Sequence, residues 1–346
     1  LVSGTYQVIV IDSAGCIDSA MASVGDNQGP TGVFTDTTNV SCFGACDGSA
    51  TVFASNGTAP YTYFWNPSGQ STPVATNLCG GTQTVDITDA TGCVTNVSVF
   101  IVEPTDLTAN TTVISDPKCT GTCDGVTHVS ATGGTLPYTY QWNDPMFQTG
   151  VYATSLCAGS YSILVTDANG CIANGSITLF EPTQLSVSIS TTDVSCGGSC
   201  DGSASVVPSG GTIPYSYSWS NGDNTQTADS LCASTYVINV IDTNGCTISA
   251  TATIDEPTIL SASIFSYQDA SCNGNCNGFA TLTQSGGTAP YTYTWSNGQN
   301  NATAINLCTG NYTGTVTDAN GCSDTVTVTI GQPSTLMLSV SKSDVE

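Results

Sequence analysis

Cysteine is the residue type whose number and spacing most clearly indicate chemistry in this sequence. The chain has 346 residues and 17 cysteines, and one pattern recurs: Cys-x3-Cys, a gap of 31 to 33 residues, then Cys-x13-Cys. This regularity predicts a disulfide framework. A zinc site with four thiolates is the alternative, but the usual Cys-x2-Cys knuckles are missing. The four sets are Cys42, Cys46, Cys79 and Cys93; Cys119, Cys123, Cys157 and Cys171; Cys196, Cys200, Cys232 and Cys246; and Cys272, Cys276, Cys308 and Cys322.

Carboxylates recur at two positions of the same pattern. An aspartate begins the turn before the last cysteine of each set, and a glutamate follows near the end of the repeat, except where Gln332 replaces it. In a head-to-tail array the glutamate of one repeat approaches the aspartate of the next, and Ca²⁺ takes such oxygen ligands. The alternative is that the aspartates only stabilise turns. Ca²⁺ is the one cofactor suggested, and none is required; its candidate ligands are Glu103, Asp167, Glu181, Asp242, Glu256 and Asp318.

Composition argues against an enzyme and against several partners. His128 is the only histidine, so neither a Ser-His-Asp set nor a histidine-based metal site can be built. Two basic residues stand against 26 acidic ones, whereas nucleic acids and anionic membrane surfaces require clustered Lys or Arg. No stretch approaches the ~20 apolar residues of a membrane span, so we expect no direct membrane insertion.

One aromatic stretch organises each repeat. Residues 210–219 read Gly-Gly-Thr-Ile-Pro-Tyr-Ser-Tyr-Ser-Trp, and similar stretches recur about every 77 residues. The Gly and Pro residues predict a turn, and the following strand places its Tyr, Tyr and Trp on one face. We interpret this face as packed core; an exposed carbohydrate-binding stripe is the alternative.

The repeats divide the chain into segments. Short proline-containing linkers predict that successive repeats stack end to end with limited bending. We expect the chain to be a slice of a longer protein, with any export signal or anchor outside it. The predicted segments are 1–29, the C-terminal part of a preceding repeat; full repeats at 30–104, 105–182, 183–257 and 258–333; and 334–346, the start of another repeat.

Short strands separated by turns predict an all-β fold. No window has helical periodicity, and Asp167-Ala168-Asn169-Gly170 is a strong hairpin signal. The predicted fold is a rod-like tandem array of Ig-like antiparallel β-sandwiches, with Tyr161 at the position of a tyrosine corner. In the second full repeat the expected strands cover residues 107–114, 126–132, 138–142, 151–156, 161–166 and 172–180.

Several spaced motifs resemble those of the SprB repeat family. They are the run Cys272-Asn273-Gly274-Asn275-Cys276-Asn277-Gly278, the Gly-Gly-Thr-x-Pro-Tyr-x-Tyr-x-Trp strand, a Leu-Cys-Ala/Thr-Gly step and a Thr-Asp-Ala-Asn-Gly-Cys hairpin. Together they cover residues 30–333. The family occurs in very large surface adhesins of Bacteroidota, including the gliding-motility adhesin. The resemblance implies type IX secretion, display as a long surface filament and no catalytic residues.

Strand topology narrows the cysteine pairing within a repeat. The third and fourth cysteines flank one strand, roughly 25–30 Å apart, whereas a disulfide needs Cα atoms within ~7 Å. The turns that carry the second and third cysteines share one end of a sandwich, which favours their pairing. The predicted bonds are Cys46–Cys79, Cys123–Cys157, Cys200–Cys232 and Cys276–Cys308.

The first and fourth cysteines then remain, at opposite ends of one sandwich. In a head-to-tail array the first cysteine of one repeat faces the fourth of the next, which suggests bonds across junctions. The alternative is that the first cysteine closes a local Cys-x3-Cys loop or competes for the third. Cys16 and Cys272 would pair beyond this chain. The cross-junction hypothesis comprises Cys42–Cys171, Cys119–Cys246 and Cys196–Cys322.

A short motif suggests glycosylation. Asp-(Ser/Thr)-(Ala/Leu/Val/Thr) matches an O-glycosylation motif associated with Bacteroidota, although chance matches are expected in so Thr-rich a chain. The candidate acceptors are Ser13, Ser19, Thr37, Ser230 and Thr325.

The predicted function is a non-enzymatic stalk of a large secreted adhesin on a bacterial cell surface, projecting a distal binding region and bearing force in attachment or gliding motility. Its partners are the neighbouring repeats of the same chain and a surface or glycan ligand bound by regions outside this slice. One alternative is a glycan-binding repeat that uses exposed aromatics. Another is an extracellular filament subunit that self-assembles.

Overall fold

The computed structural model describes residues 2–25 and 28–342, and every regular element in them is a β-strand. Strands β1 (Gly4–Ile11) and β2 (Ile17–Val24) pair as an antiparallel hairpin. Residues 1, 26 and 27 of the predicted segment 1–29 lie outside the described residues, as do residues 343–346 of the segment predicted to begin another repeat. The rest of that last segment, residues 334–342, contains no strand.

Four similar sandwiches of six strands each follow the hairpin. The first comprises β3 (Thr31–Thr38), β4 (Gly48–Ser55), β5 (Thr62–Asn66), β6 (Val74–Leu78), β7 (Gly81–Thr88) and β8 (Val94–Ile101). The second comprises β9 (Thr108–Ser115), β10 (Gly125–Thr132), β11 (Thr139–Trp142), β12 (Tyr152–Leu156), β13 (Gly159–Thr166) and β14 (Ile172–Leu179). The third comprises β15 (Ser186–Thr192), β16 (Gly202–Ser209), β17 (Ser216–Trp219), β18 (Thr227–Leu231), β19 (Ser234–Ile241) and β20 (Thr247–Ile254). The fourth comprises β21 (Ser261–Gln268), β22 (Gly278–Ser285), β23 (Thr292–Trp295), β24 (Thr303–Leu307), β25 (Gly310–Thr317) and β26 (Ser323–Ile330).

Each sandwich contains two three-stranded antiparallel sheets with the same order. In the first, the sheets are β3-β4-β6 and β5-β7-β8, and the other three sandwiches repeat these orders. The six strands expected in the second full repeat lie within one or two residues of β9–β14. The all-β, Ig-like fold class is therefore confirmed, because a sandwich of two antiparallel sheets made from short strands is the Ig-like architecture.

Side chains that point inward alternate with side chains that point outward along the strands, and the inward ones form the cores. In β7, Gln83, Val85 and Ile87 point inward while the residues between them are half-buried or exposed. Val85 and Ile87 meet Val52 of the facing sheet in one apolar cluster, and an equivalent cluster fills each of the other sandwiches. Burial of such β-branched and aliphatic side chains stabilises each by roughly 1.5–3 kcal/mol, so each sandwich has a core of its own.

The aromatic stretch lies where the sequence predicts. Its tryptophans are 0–4% exposed, and the two tyrosines before each one are half-buried against the same core. The interpretation as a packed core is confirmed, and an exposed stripe that includes these tryptophans is wrong. The tryptophans are Trp65, Trp142, Trp219 and Trp295.

The glycine pair before the aromatic strand permits a close approach. Gly133 and Gly134 have φ values of +81° and +60°, a region that favours glycine. A Cβ on Gly134 would lie 2.7 Å from the Asp167 carboxylate. The missing side chain therefore lets the turn after β10 lie against the aspartate at the end of β13.

The described residues form two compact units. One contains the hairpin and the first two sandwiches, apart from the short segment Lys118–Thr120. The other contains Lys118–Thr120 together with the last two sandwiches.

Candidate functional site

A short disulfide lies inside every sandwich. In the first, Cys46 just before β4 is bonded to Cys79 just after β6, with Cα atoms 3.9 Å apart and a sequence separation of 33. These strands pair at the same end, since Gly48 is the register partner of Leu78. The second and third cysteines of each predicted set are brought together in this way, as Cys46–Cys79, Cys123–Cys157, Cys200–Cys232 and Cys276–Cys308.

A longer class of disulfide joins cysteines that are far apart in sequence. Each has a Cα separation of 5.7 Å, near the middle of the usual range. Cys42–Cys171 lies in the first unit and bonds the first sandwich to the second. Cys196–Cys322 bonds the third to the fourth within the second unit, where Cys119, in the segment Lys118–Thr120, is also bonded to Cys246. The sequence separations are 129, 127 and 126 residues, so the structure joins the cysteines that the cross-junction hypothesis paired.

Three cysteines are free in the structure. Two of them, Cys16 and Cys272, are exposed and were expected to lack a partner in this chain. The third, Cys93, is partly buried and was missed. Its position could have shown that it lacks a partner. A fourth cysteine pairs with the first cysteine of the preceding repeat, and the sequence contains no such cysteine before Cys42 in the preceding repeat.

An aspartate organises the turn that presents each fourth cysteine. In the second sandwich, the Asp167 carboxylate accepts hydrogen bonds from the backbone N–H groups of Thr135 (2.8 Å), Asn169 (2.9 Å) and Cys171 (2.8 Å). The bond from Thr135 joins the turn to the Gly-Gly loop, and the bond from Asn169 lies within the turn itself. The carboxylate therefore fixes the backbone on which the long disulfide is built.

These hydrogen bonds also set the acidity of the aspartates. The N–H of Thr58 and the Thr91 hydroxyl lower the pKa of Asp89 to about 2. The N–H of Thr288 likewise lowers the pKa of Asp318. Burial opposes the shift at Asp167, but hydrogen bonds from Thr135 and other backbone groups outweigh it and lower that pKa as well. All three are therefore ionised at neutral pH.

An asparagine side chain next to the fourth cysteine makes a contact that the sequence did not reveal. Asn169 Nδ2 donates to the backbone oxygen of Ser41 at 2.8 Å, beside Cys42–Cys171. The sequence showed this asparagine only as a hairpin residue. The same bond recurs from Asn244 to Lys118 and from Asn320 to Ser195, at 3.0 Å in both cases.

Two carboxylates accept hydrogen bonds from the loop that carries the first cysteine. Ser41 donates its N–H and its hydroxyl to the Asp47 carboxylate. Gly44, within the Cys-x3-Cys loop, donates its N–H to Glu103 Oε1 at 2.6 Å. Glu103 thus contacts its own repeat, and Glu256 does the same by accepting the N–H of Gly198 at 2.7 Å.

Gln332, which replaces this glutamate in the last repeat, accepts the N–H of Gly274 at 2.8 Å. An amide oxygen therefore serves as well as a carboxylate, which indicates that the position requires an acceptor rather than a charge. Across residues 2–25 and 28–342, no group of three or more His, Cys, Asp or Glu side chains is placed to hold a metal ion. The Ca²⁺ hypothesis for the six candidate carboxylates stays a prediction.

The candidate glycosylation residues are all exposed. Ser13 lies in the turn between β1 and β2, Ser19 in β2, and Thr37 in β3. Ser230 lies in β18 and Thr325 in β26. Exposure makes each hydroxyl accessible to a transferase, and modification of any of them stays a prediction.

The tyrosine corner predicted at Tyr161 is present, and two other sandwiches repeat it. Tyr161 Oη donates to the backbone oxygen of Cys157 at 3.0 Å, and Tyr236 and Tyr312 make the equivalent bonds. In the first sandwich Gln83 takes this role and donates Nε2 to the Cys79 oxygen at 3.0 Å. His128 contacts the Tyr152 ring, with ring centroids 4.7 Å apart.

Comparison with known proteins identifies the repeat. The SprB repeat family matches four segments, residues 34–70, 111–147, 188–224 and 264–300. Each match begins within the first strand of a sandwich, includes the second and third strands, and ends in the loop after the buried tryptophan. No curated protein matches the sequence.

Similar solved structures have low sequence identity. The N-terminal eight Ig domains of Down Syndrome Cell Adhesion Molecule match at 11% identity and TM-score 0.31, over 96% of this chain and 53% of that chain. Three N-terminal domains of the bacteriophage RB49 Hoc protein match at 12% and 0.36, over 65% and 100%. A tetra-tandem repeat from the extending region of a large adhesion protein matches at 14% and 0.29, over 88% and 100%. The chain spans about half the length of the first of these.

Along the described residues, no helix is long and apolar enough to span a membrane. Disulfides in this number are typical of proteins that fold outside the reducing cytosol. The chain contains four SprB repeats, and its disulfides are those of an extracellular or cell-surface protein.

Proposed function

We propose that the chain is a non-enzymatic stalk of a large secreted adhesin on a bacterial surface, exported by type IX secretion. The observation that carries the proposal is the series of long disulfides, which bond the turns of one repeat to the next about every 77 residues. A spacer that transmits force must resist separation at its junctions, and a covalent bond at each junction supplies that resistance. The distal ligand is then bound by regions outside residues 1–346.

Two further observations support a stalk rather than a binding module. The largest aromatic side chains, the four tryptophans, lie in the cores and not on a ligand face. The repeats also preserve the residues of their turns and junctions, whereas His128 and the loop around Phe147 are particular to one repeat. A repeat that bound ligand would be expected to repeat its surface chemistry as well.

The experiment is a binding test on the oxidised chain. We expect surface-immobilised residues 1–346 to bind no glycan on an array, and antibodies against the chain to label intact cells. We also expect blue-shifted tryptophan fluorescence that resists quenching by iodide. Size-exclusion chromatography with light scattering should show a monomer. Specific glycan binding would favour the binding module, a concentration-dependent oligomer would favour the self-assembling filament, and unlabelled intact cells would contradict surface display.

A further inference from the structure

The three long disulfides overlap along the sequence. Cys119 lies inside the loop closed by Cys42 and Cys171, and Cys196 lies inside the loop closed by Cys119 and Cys246. Successive loops therefore share backbone. As a result, every peptide bond between residues 42 and 322 is spanned by at least one long disulfide.

We propose that this overlap gives the chain two separate covalent routes between Cys42 and Cys322, so that it stays in one piece when a protease cuts it once. The first route crosses from Cys42 to Cys171, follows the backbone to Cys196, and crosses to Cys322. It uses two long disulfides and only about 25 residues of backbone.

The second route shares no bond with the first. It follows the backbone from Cys42 to Cys119, crosses to Cys246, and follows the backbone to Cys322. The remaining backbone, residues 119–171 and 196–246, connects the two routes. One hydrolysed peptide bond therefore interrupts at most one route, and the other keeps the two ends joined.

The chemistry of a cut leaves the disulfides untouched. Hydrolysis adds one water across the peptide bond and produces a new carboxylate and a new amine. No sulfur changes its oxidation state. The cut molecule therefore differs from the intact one only by the mass of a water molecule until a reductant is added.

The cut molecule also has reason to stay folded. Each sandwich has its own apolar cluster and its own short disulfide, so a cut in a linker removes no core contact. Three linkers contain the same Pro-Thr step outside any strand: Pro104–Thr105, Pro182–Thr183 and Pro257–Thr258. Exposure to proteases is the ordinary condition of an extracellular chain. The inference concerns bonds alone and does not depend on the stalk function.

The test places one protease site at each linker in turn. A Gly-Ser-Lys-Gly-Ser insertion is made at one Pro-Thr step of the full chain, together with Lys118→Gln and Lys342→Gln, so that the inserted lysine is the single tryptic site. After digestion we expect one species on a non-reducing gel and two after reduction. The reduced sample shows that cutting was complete, so an uncut protein cannot be mistaken for a linked one.

Each linker is spanned by one long disulfide only, which provides matched controls. The cut at Pro104–Thr105 is spanned by Cys42–Cys171, so Cys42→Ser with Cys171→Ser should release two pieces without reductant. Cys196→Ser with Cys322→Ser should not release them at this site, but should at Pro257–Thr258. Release of two pieces from the fully oxidised, otherwise unchanged protein at any of the three linkers would overturn the inference.

Discussion

The side-chain amide of Asn320 donates a hydrogen bond to the backbone oxygen of Ser195, which lies 125 residues earlier in the chain, at 3.0 Å. The bond is next to Cys196–Cys322, and Asn320 also donates to Thr288 Oγ1 at 3.3 Å. One residue thus links the hairpin turn of the fourth sandwich to its Gly-Gly loop and to the cysteine loop of the third. The long disulfide is therefore supported by a hydrogen bond that aligns the same two turns.

Removing this amide tests its contribution. We expect Asn320→Ala to lower the free energy of unfolding of the oxidised chain by about 1 kcal/mol, because one net hydrogen bond is worth about that much. The measurement is the urea midpoint, with Asn224→Ala, in an exposed loop of the third sandwich, as the matched control. An Asn320→Ala midpoint equal to that of the control would mean that the bond adds nothing to the disulfide.

Acid should weaken the turns. The pKa of Asp89 is about 2 in the folded protein and about 3.9 in an unfolded chain. A carboxyl whose pKa is lowered by folding stabilises the protein above the unfolded value and loses that effect as the pH falls towards the folded one. We therefore expect its contribution to be constant above about pH 5 and to be lost between about pH 4 and pH 2.

Comparison with Asp89→Asn isolates this effect, since protonation also relieves the repulsion caused by a formal net charge of −24. The urea midpoint of the variant should be lower at pH 7 and should approach that of the unchanged protein at pH 2. A constant difference between the two proteins from pH 7 to pH 2 would show that Asp89 does not titrate in this range.

The second sandwich contains a buried hydroxyl without a partner. Thr127 is fully buried and its Oγ1 makes no hydrogen bond, whereas the other sandwiches have Ala50, Ala204 and Ala280 at this position. Thr127→Val keeps the shape and removes the unsatisfied group, so we expect it to stabilise the protein by about 1 kcal/mol in urea unfolding. Thr127→Ser keeps the hydroxyl and loses a methyl group, so it should destabilise by about as much. A Val variant less stable than the unchanged protein would imply that the hydroxyl has a partner.

The features that repeat in the sequence were predictable from it. The Tyr-x-Tyr-x-Trp spacing fixes one face of a strand, and a strand with three aromatic rings on one face needs a core to cover them. Constant cysteine spacing, combined with the ends at which sandwich turns lie, led to the pairs that the structure joins. In both cases the geometry of strands and turns restricts which residues can lie together, before the direction of any side chain is known.

Roles that depend on side-chain direction were not predictable. Glu103 was expected to face the next repeat, but its carboxylate accepts the N–H of Gly44 in its own. Asn169 was recognised only as a turn former, because nothing in the sequence shows that its amide reaches Ser41. Side-chain hydrogen bonds between two distant turns depend on the direction in which each side chain points, and spacing along the chain does not encode that direction.

Metal removal tests the Ca²⁺ hypothesis. Glu103, Glu256 and Gln332 already accept backbone N–H groups, so we expect EDTA to leave the thermal unfolding midpoint unchanged. The comparison is a scan with Ca²⁺ in excess. A midpoint that rises with Ca²⁺ and falls with EDTA would show binding, and Asp167→Asn would then test the first proposed ligand pair.

The most direct test of the stalk proposal is to stretch single molecules held by their two ends. In the oxidised chain the load falls on the shorter covalent route between Cys42 and Cys322. At ~3.6 Å per residue, its roughly 25 residues and two disulfides extend to about 100 Å. The reduced chain between the same residues extends to about 1,000 Å. We therefore predict that oxidised molecules resist extension beyond the short route and that reduction releases about 900 Å of additional length. Equal extension before and after reduction would contradict the account.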